Sequence, residues 1–120
     1  KYKFQYWNNM LSTPFTLCVR GNGNFSVRFY EALALGRIPV LFDTDCVLPL
    51  DDKIDWQKHC IIVKNTDINT AVKSIEQSIN AMDEDNIIYL QMANRQLWIE
   101  NLSFGGFYYS FMKQIEKKYN

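Results

Sequence analysis

The residues able to do chemistry lie between Arg20 and Asp45. Gly21-Asn22-Gly23-Asn24 reads as a turn that permits positive φ at several positions. Ser26 follows as the N-cap of a helix running to about Leu35, with Gly36 as its C′ residue. A glycine turn leading into a capped helix exposes free backbone N–H groups at the positive end of the helix dipole. That arrangement suits phosphate oxygens. Arg20 adds a permanent charge whose fork can hold two oxygens. Glu31, five residues past the cap, can accept hydrogen bonds from two vicinal hydroxyls of a ribose. Donors for a diphosphate beside an acceptor for a sugar are what a nucleotide sugar needs.

The same residues have plainer readings. Gly21-Asn22-Gly23-Asn24 can be a tight connection and nothing more. Arg28 and Glu31, three apart, can be a surface ion pair of little worth. The turn is no dinucleotide fingerprint, because Ser26 stands where a third glycine belongs, and no Gly-Lys-Ser/Thr follows to make a P-loop.

The elements that must position these residues follow from local pattern. Phe4, Trp7, Met10 and Leu11 are spaced as one face of a short helix, which Ser12-Thr13-Pro14 ends. Phe15–Arg20 is a short apolar run that predicts a strand buried on both faces. In the following helix Phe29, Leu33 and Gly36 form one stripe and Val27, Tyr30 and Ala34 another. Ile38–Phe42 predicts a second buried strand, with Pro39 tolerable near its start. Cys60–Val63 predicts a third.

The period then changes to about 3.6. Asp67 opens a helix with Ile68, Ala71, Val72, Ile75 and Ile79 on its apolar face. Asp83 opens another, with Ile87, Leu90, Met92, Leu97 and Trp98 as its apolar set. A third begins near Ser103, and Lys117 and Lys118 complement its dipole. Strands first alternating with helices, then helices alone, predict one α/β domain over 1–120: a Rossmann-like parallel sheet with flanking helices and a helical C-terminal third. Ligands of such sheets bind beyond the carboxyl ends of the strands, here at Arg20–Asn24 and at Asp43-Thr44-Asp45.

Composition narrows the function classes. Of 120 residues 48% are apolar, which excludes intrinsic disorder. Thirteen Lys and Arg balance thirteen Asp and Glu, so there is no basic field for a nucleic-acid backbone or an anionic membrane. No apolar run reaches the roughly 20 residues of a membrane span. Cys18, Cys46 and Cys60 are odd in number and lack metal spacing, which points to a reducing compartment. Starting at Lys1, and with only three strands, the sequence is expected to be part of a longer chain.

The order of short motifs carries a more specific signal. Leu17-Cys18-Val19-Arg20-Gly21, Ser26-Val27-Arg28-Phe29-Tyr30-Glu31-Ala32-Leu33 and Gly36-Arg37-Ile38-Pro39-Val40-Leu41 together resemble the exostosin family of glycosyltransferases. The resemblance continues through Asp45, Leu48-Pro49-Leu50 and Ile54-Asp55-Trp56. It implies the C-terminal, donor-binding half of a two-domain GT-B enzyme of polysaccharide biosynthesis. Such an enzyme moves a sugar from a nucleotide donor, a UDP-sugar or GDP-sugar, to a glycan acceptor with inversion. No metal or other cofactor is implied. The N-terminal domain of the same protein is the implied partner, and the implied location is cytoplasmic, or the Golgi lumen in a eukaryote.

Carried over residue by residue, the resemblance puts Arg20 and Gly21-Asn22-Gly23 against the diphosphate, with Ser26 and the helix start as further donors. Arg28 becomes a second cation or a brace for the loop, Glu31 holds the ribose, and Asp45 lies near the donor sugar. Arg20 and Glu31 are the pair implied to matter for catalysis. Arg37 departs from the family pattern and is expected to have a surface role.

His59, the sole histidine, is expected at the surface or at a helix end, and Asp51, Asp52 and Asp55 in a solvated loop. The aromatic set Phe104, Phe107, Tyr108, Tyr109 and Phe111 is expected to form a seam against another domain, with Gly105 and Gly106 allowing a kink. The competing reading of the whole chain is a non-catalytic nucleotide- or protein-binding α/β module.

Overall fold

The structure, a computed structural model, describes residues 1–64 and 67–120. Three parallel strands form its sheet in the order β1 (Phe15–Cys18), β2 (Ile38–Asp43), β3 (Ile61–Lys64). Helix α1 (Tyr2–Leu11) precedes β1, and α2 (Val27–Ala34) connects β1 to β2. A single 3₁₀ turn, Trp56–Lys58, leads into β3. Then come α3 (Ile68–Asn80), α4 (Glu84–Leu97), a π-helical turn over Trp98–Leu102 and α5 (Phe104–Tyr119). The fold is α/β and Rossmann-like, as the alternation of strand and helix predicted.

The side-chain period of two divides the strands between two cores. Cys18, Leu41 and Cys60 pack with Phe29 and Leu33 of α2 and with Ile54 and Trp56, and Leu97, Trp98 and Leu102 close this layer. Val40, Ile61 and Val63 face the other way, onto Ala71 of α3. Pro39 sits in the central strand without cost to the ladder. The ladder with β1 is entered through the Ile38 N–H, which donates to the Pro14 carbonyl at 2.7 Å, and pairing with β3 starts only at Val40.

Several expectations are corrected. β1 ends at Cys18, and it is an edge strand rather than one buried on both faces: Thr16 and Cys18 are buried while Leu17 is 53% exposed. On α3, Ile68 and Val72 are exposed, because the helix meets the sheet through Ala71, with Ile75 and Ile79 packed beside it. Met92 of α4 is likewise exposed. On α1, Met10 is buried, whereas Phe4, Trp7 and Leu11 are exposed. The helix turns its polar Tyr6 and Asn9 toward α2 instead.

No kink occurs at Gly105-Gly106, where α5 runs unbroken. A Cβ on Gly106 would come within 2.5 Å of the Ile99 and Glu100 carbonyl oxygens, so that glycine permits close approach to the π turn. None of the residues of α5 is buried, and Phe104 is 93% exposed. No protein covers this aromatic face among the described residues.

The turn after α2 follows the sequence reading. Gly36 has φ +65°, its N–H donates to the Leu33 carbonyl at 3.0 Å, and the Arg37 N–H donates to the Ala32 carbonyl at 2.8 Å. These are the two bonds of a Schellman motif. A Cβ at Gly36 would also meet the Gln91 carbonyl oxygen of α4 at 3.1 Å. Conformation and space both require glycine there.

Candidate functional site

The loop between β1 and α2 is closed by the Gly21 N–H donating to the Phe25 carbonyl at 3.0 Å. Its glycines are not in the left-handed region; Gly36 alone among the glycines has a positive φ, which corrects the expectation for Gly21 and Gly23. At Gly23 a Cβ would sit 2.6 Å from the ring of the exposed Phe25, which would have to swing aside. Asn24 ties this loop to the one after β2. Its amide Nδ2 donates to the Thr44 carbonyl at 3.1 Å and the Asp45 carbonyl at 3.3 Å, and the Thr44 hydroxyl donates to Asn24 Oδ1 at 2.5 Å.

Asp45 takes a left-handed conformation, φ 59°, and its N–H donates to Asp43 Oδ1 at 2.9 Å. Asp43 Oδ2 in turn accepts from Lys64 Nζ at 3.0 Å across the β2–β3 register. That hydrogen bond holds the Asp43 carboxyl below its ordinary value and raises Lys64. The carboxyl ends of all three strands are therefore linked by side chains. A groove of about 260 Å³ opens beside them, bordered by Asp43, Cys46, Val47 and Asp51.

Ser26 has extended N-cap geometry and is buried, but its hydroxyl makes no capping bond. The start of α2 thus lacks a side-chain acceptor from its own cap. Arg20 is exposed, with no hydrogen bond or ion pair among the described residues. Folding gives it no task.

Arg28 and Glu31 do not form the ion pair that their spacing allows. The Tyr6 hydroxyl donates to Glu31 Oε2. Arg28 lies over the Tyr6 ring, 5.1 Å from its centroid, and donates from Nη2 to Asn9 Oδ1 at 3.0 Å. Its Nε is buried without a partner. Arg20 and Glu31 share no hydrogen bond or ion pair among the described residues, and Glu31 does not line the 260 Å³ groove. Two sub-sites are therefore built: a clasped pair of loops holding Asn24 and Asp45, and an α1–α2 cluster holding Arg28 and Glu31.

Two polar residues are missing from the sequence reading. Tyr6 is one. Its signal was the pairing of Tyr6 with Asn9, three apart on an otherwise aromatic helix. The other is Asn94, fully buried on α4. Its Nδ2 donates to the Arg37 and His59 carbonyls, each at 2.9 Å, while Oδ1 lies 3.0 Å from His59 Nδ1. Since Oδ1 can only accept, the proton is on Nδ1. His59 is at a helix end, as expected, and it has a partner that the sequence did not reveal.

Arg37 is half-buried and reaches the Leu35 and Thr13 carbonyls, a bracing role in place of the surface role expected. Trp56 donates its indole N–H to the Pro49 carbonyl at 3.0 Å, so the Leu-Pro-Leu and Ile-Asp-Trp motifs build the core wall. All three cysteines are free thiols, and burial pushes Cys18 and Cys60 up to about 12. The described residues contain no group of three or more His, Cys, Asp or Glu placed to hold a metal ion.

Parallel strands whose linked carboxyl-end loops lead into α2 make an α/β domain of the class that binds ligands beyond its strand ends. Comparison with known proteins gives the family. Residues 1–79 match the model of the exostosin GT47 domain, and the chain belongs to that family. It is 35% identical over 96 residues to exostosin-1 of Drosophila melanogaster, an alignment covering 80% of this chain and 12% of that protein. It is 27% identical over 116 residues to a probable glucuronosyltransferase, GUT1, of Oryza sativa subsp. japonica, covering 94% of this chain and 28% of the relative. A probable beta-1,4-xylosyltransferase of Arabidopsis thaliana, IRX10, is 26% identical with the same coverage. The chain spans less than a third of the length of these relatives.

Proposed function

We propose that this chain is the donor-binding part of an inverting glycosyltransferase that uses a nucleoside-diphosphate sugar, a UDP-sugar or GDP-sugar, and passes the sugar to a glycan acceptor. The observation that carries the reading is the strand-to-helix passage at Arg20–Glu31. An exposed arginine without a folding role precedes an uncapped helix start, and a carboxylate follows little more than one turn along. Membership in a glycosyltransferase family supports the reaction class.

In this reading Arg20 and the backbone N–H groups of Asn22, Gly23 and Ser26 face the diphosphate, while Gly21, expected as a further donor, spends its N–H on the Phe25 carbonyl and shapes the loop instead. Arg28 braces the cluster, Glu31 takes the ribose hydroxyls, and Asp45 borders the donor sugar. An acceptor hydroxyl attacks the anomeric carbon, the bond from that carbon to the β-phosphate oxygen breaks, and the nucleoside diphosphate departs. The proton of the acceptor goes to a base that we assign to no residue of this chain. Negative charge grows on the β-phosphate, and fixed donors aimed at it stabilise the transition state more than the ground state. The donors are side chains and helix N–H groups, so no metal ion is needed.

Calorimetric titration of the intact protein with UDP and with GDP, in the presence of EDTA, tests the reading. Binding at about millimolar or tighter that vanishes in Glu31→Ala is expected. A folded protein that binds neither nucleotide would instead be the non-catalytic module.

A further inference from the structure

Glu31 is held from outside its own helix. The Tyr6 hydroxyl donates to its Oε2, and the Arg28 guanidinium is stacked 5.1 Å above the ring of the same tyrosine. Asn9, one turn along α1, accepts from Arg28 at 3.0 Å. One face of α1 thereby orients both charged side chains on the outer side of α2. Burial and the bond to Glu31 push the Tyr6 phenol up to about 12, so it stays a donor throughout the neutral range.

A phenol that donates to Oε2 uses one lone pair of the carboxylate. It leaves Oε1 and the second site of Oε2 open in the same plane. Two coplanar acceptors match two adjacent hydroxyls. Without the phenol, the terminal torsion of a glutamate is broad and nearly free.

We infer that Tyr6 is a positioning residue whose hydroxyl sets the Glu31 carboxylate in the orientation that reads the vicinal diol of the donor's pentose. This rests on the donor-site reading above. It gives α1 a part in nucleotide selection, although Tyr6 lies 25 residues before the carboxylate and outside every motif of the strand-to-helix passage.

The test is titration of the intact protein with the uridine and guanosine diphosphates and their 2′-deoxy forms, for wild type, Tyr6→Phe and Glu31→Gln. Tyr6→Phe keeps the ring under Arg28 and removes one O–H. Wild type is expected to prefer the ribose form about tenfold. In Tyr6→Phe the ribose form weakens about fivefold while the deoxy form hardly changes, so the preference collapses. In turnover KM for the donor rises with kcat unchanged, because the diol is bound equally before and during the reaction.

If Glu31→Gln loses the preference and Tyr6→Phe keeps it, the positioning role is overturned and the donor site stands. If Glu31→Gln also keeps the preference, both fall. Equal weakening of both sugar forms in Tyr6→Phe overturns the inference by reducing Tyr6 to a structural prop. Tighter binding overturns it by making the phenol a competitor of the ligand.

Discussion

The α/β part of the chain, residues 1–64, and the helical part, residues 67–120, are built on different terms. The first holds all three strands, most of the buried apolar side chains and every candidate site residue. The second has an exposed aromatic helix, α5, with no buried residue. Yet the helical part is no appendage. Asn94 of α4 fastens the turn after α2 to the turn before β3, and Arg95 donates to the Ala34 carbonyl at the end of α2. The backbone behind the site is fixed by side chains from a helix that carries none of the chemistry. In the proposed donor-site reading, one region supplies the groups that meet the donor, and the other supplies the rigidity that keeps them in place.

This division can be broken by substitution. The largest expected effect is Arg20→Ala in the intact enzyme, where loss of a donor to the leaving phosphate costs about 3–4 kcal/mol of barrier, roughly a factor of 10²–10³ in turnover. Its thermal midpoint should hardly move, because an exposed side chain without a partner contributes little to folding. Near-normal turnover by Arg20→Ala would refute the assignment.

Asn94→Ala should show the opposite signature. It strands two half-buried carbonyls and the His59 ring, at a cost of about 2–4 kcal/mol in denaturant unfolding. Turnover per folded molecule should stay close to wild type. A stability loss below about 1 kcal/mol would mean that α4 is not the clamp described.

Asp43→Asn gives the smallest effect and sharpens the comparison within the α/β part. The Asp43 carboxyl is held below its ordinary value by Lys64. Its contribution is therefore complete above the unfolded value, near about 3.9, and is lost as pH falls through the folded value. Unfolding midpoints of wild type and Asp43→Asn should differ at neutral pH and converge in acid. Lys64 is mostly exposed, so salt should narrow the gap. Curves that stay parallel into acid would remove Asp43 from the strand-end linkage.

The boundaries of the fold were largely legible. Ser26, Asp67, Asp83 and Ser103 all stand at N-caps, and Gly36 is the C′ residue of α2. β2 and β3 lie within a residue of their expected ends. Burial was less legible. Leu17 fits its apolar run, and Val72 and Met92 their helical patterns, yet all three are exposed, since a pattern gives a face but not the neighbour that covers it. Of the site, residue types and their order along the chain were readable. The loop clasp by Asn24 and the hold of Tyr6 on Glu31 were not.

The sequence alone determined which segments are the main helices and strands, most of the points where they start and stop, and which family the chain belongs to. Caps, glycine conformations and apolar periods act within a few residues, so they are written locally. Only the tertiary structure decided that Tyr6 reaches Glu31 across 25 residues, that Asn24 reaches Thr44 across 20, and that Asn94 reaches the Arg37 carbonyl across 57. Such bonds exist only once packing has brought distant backbones together. No short-range signal encodes the partner, and the orientation of a functional carboxylate is settled by that partner.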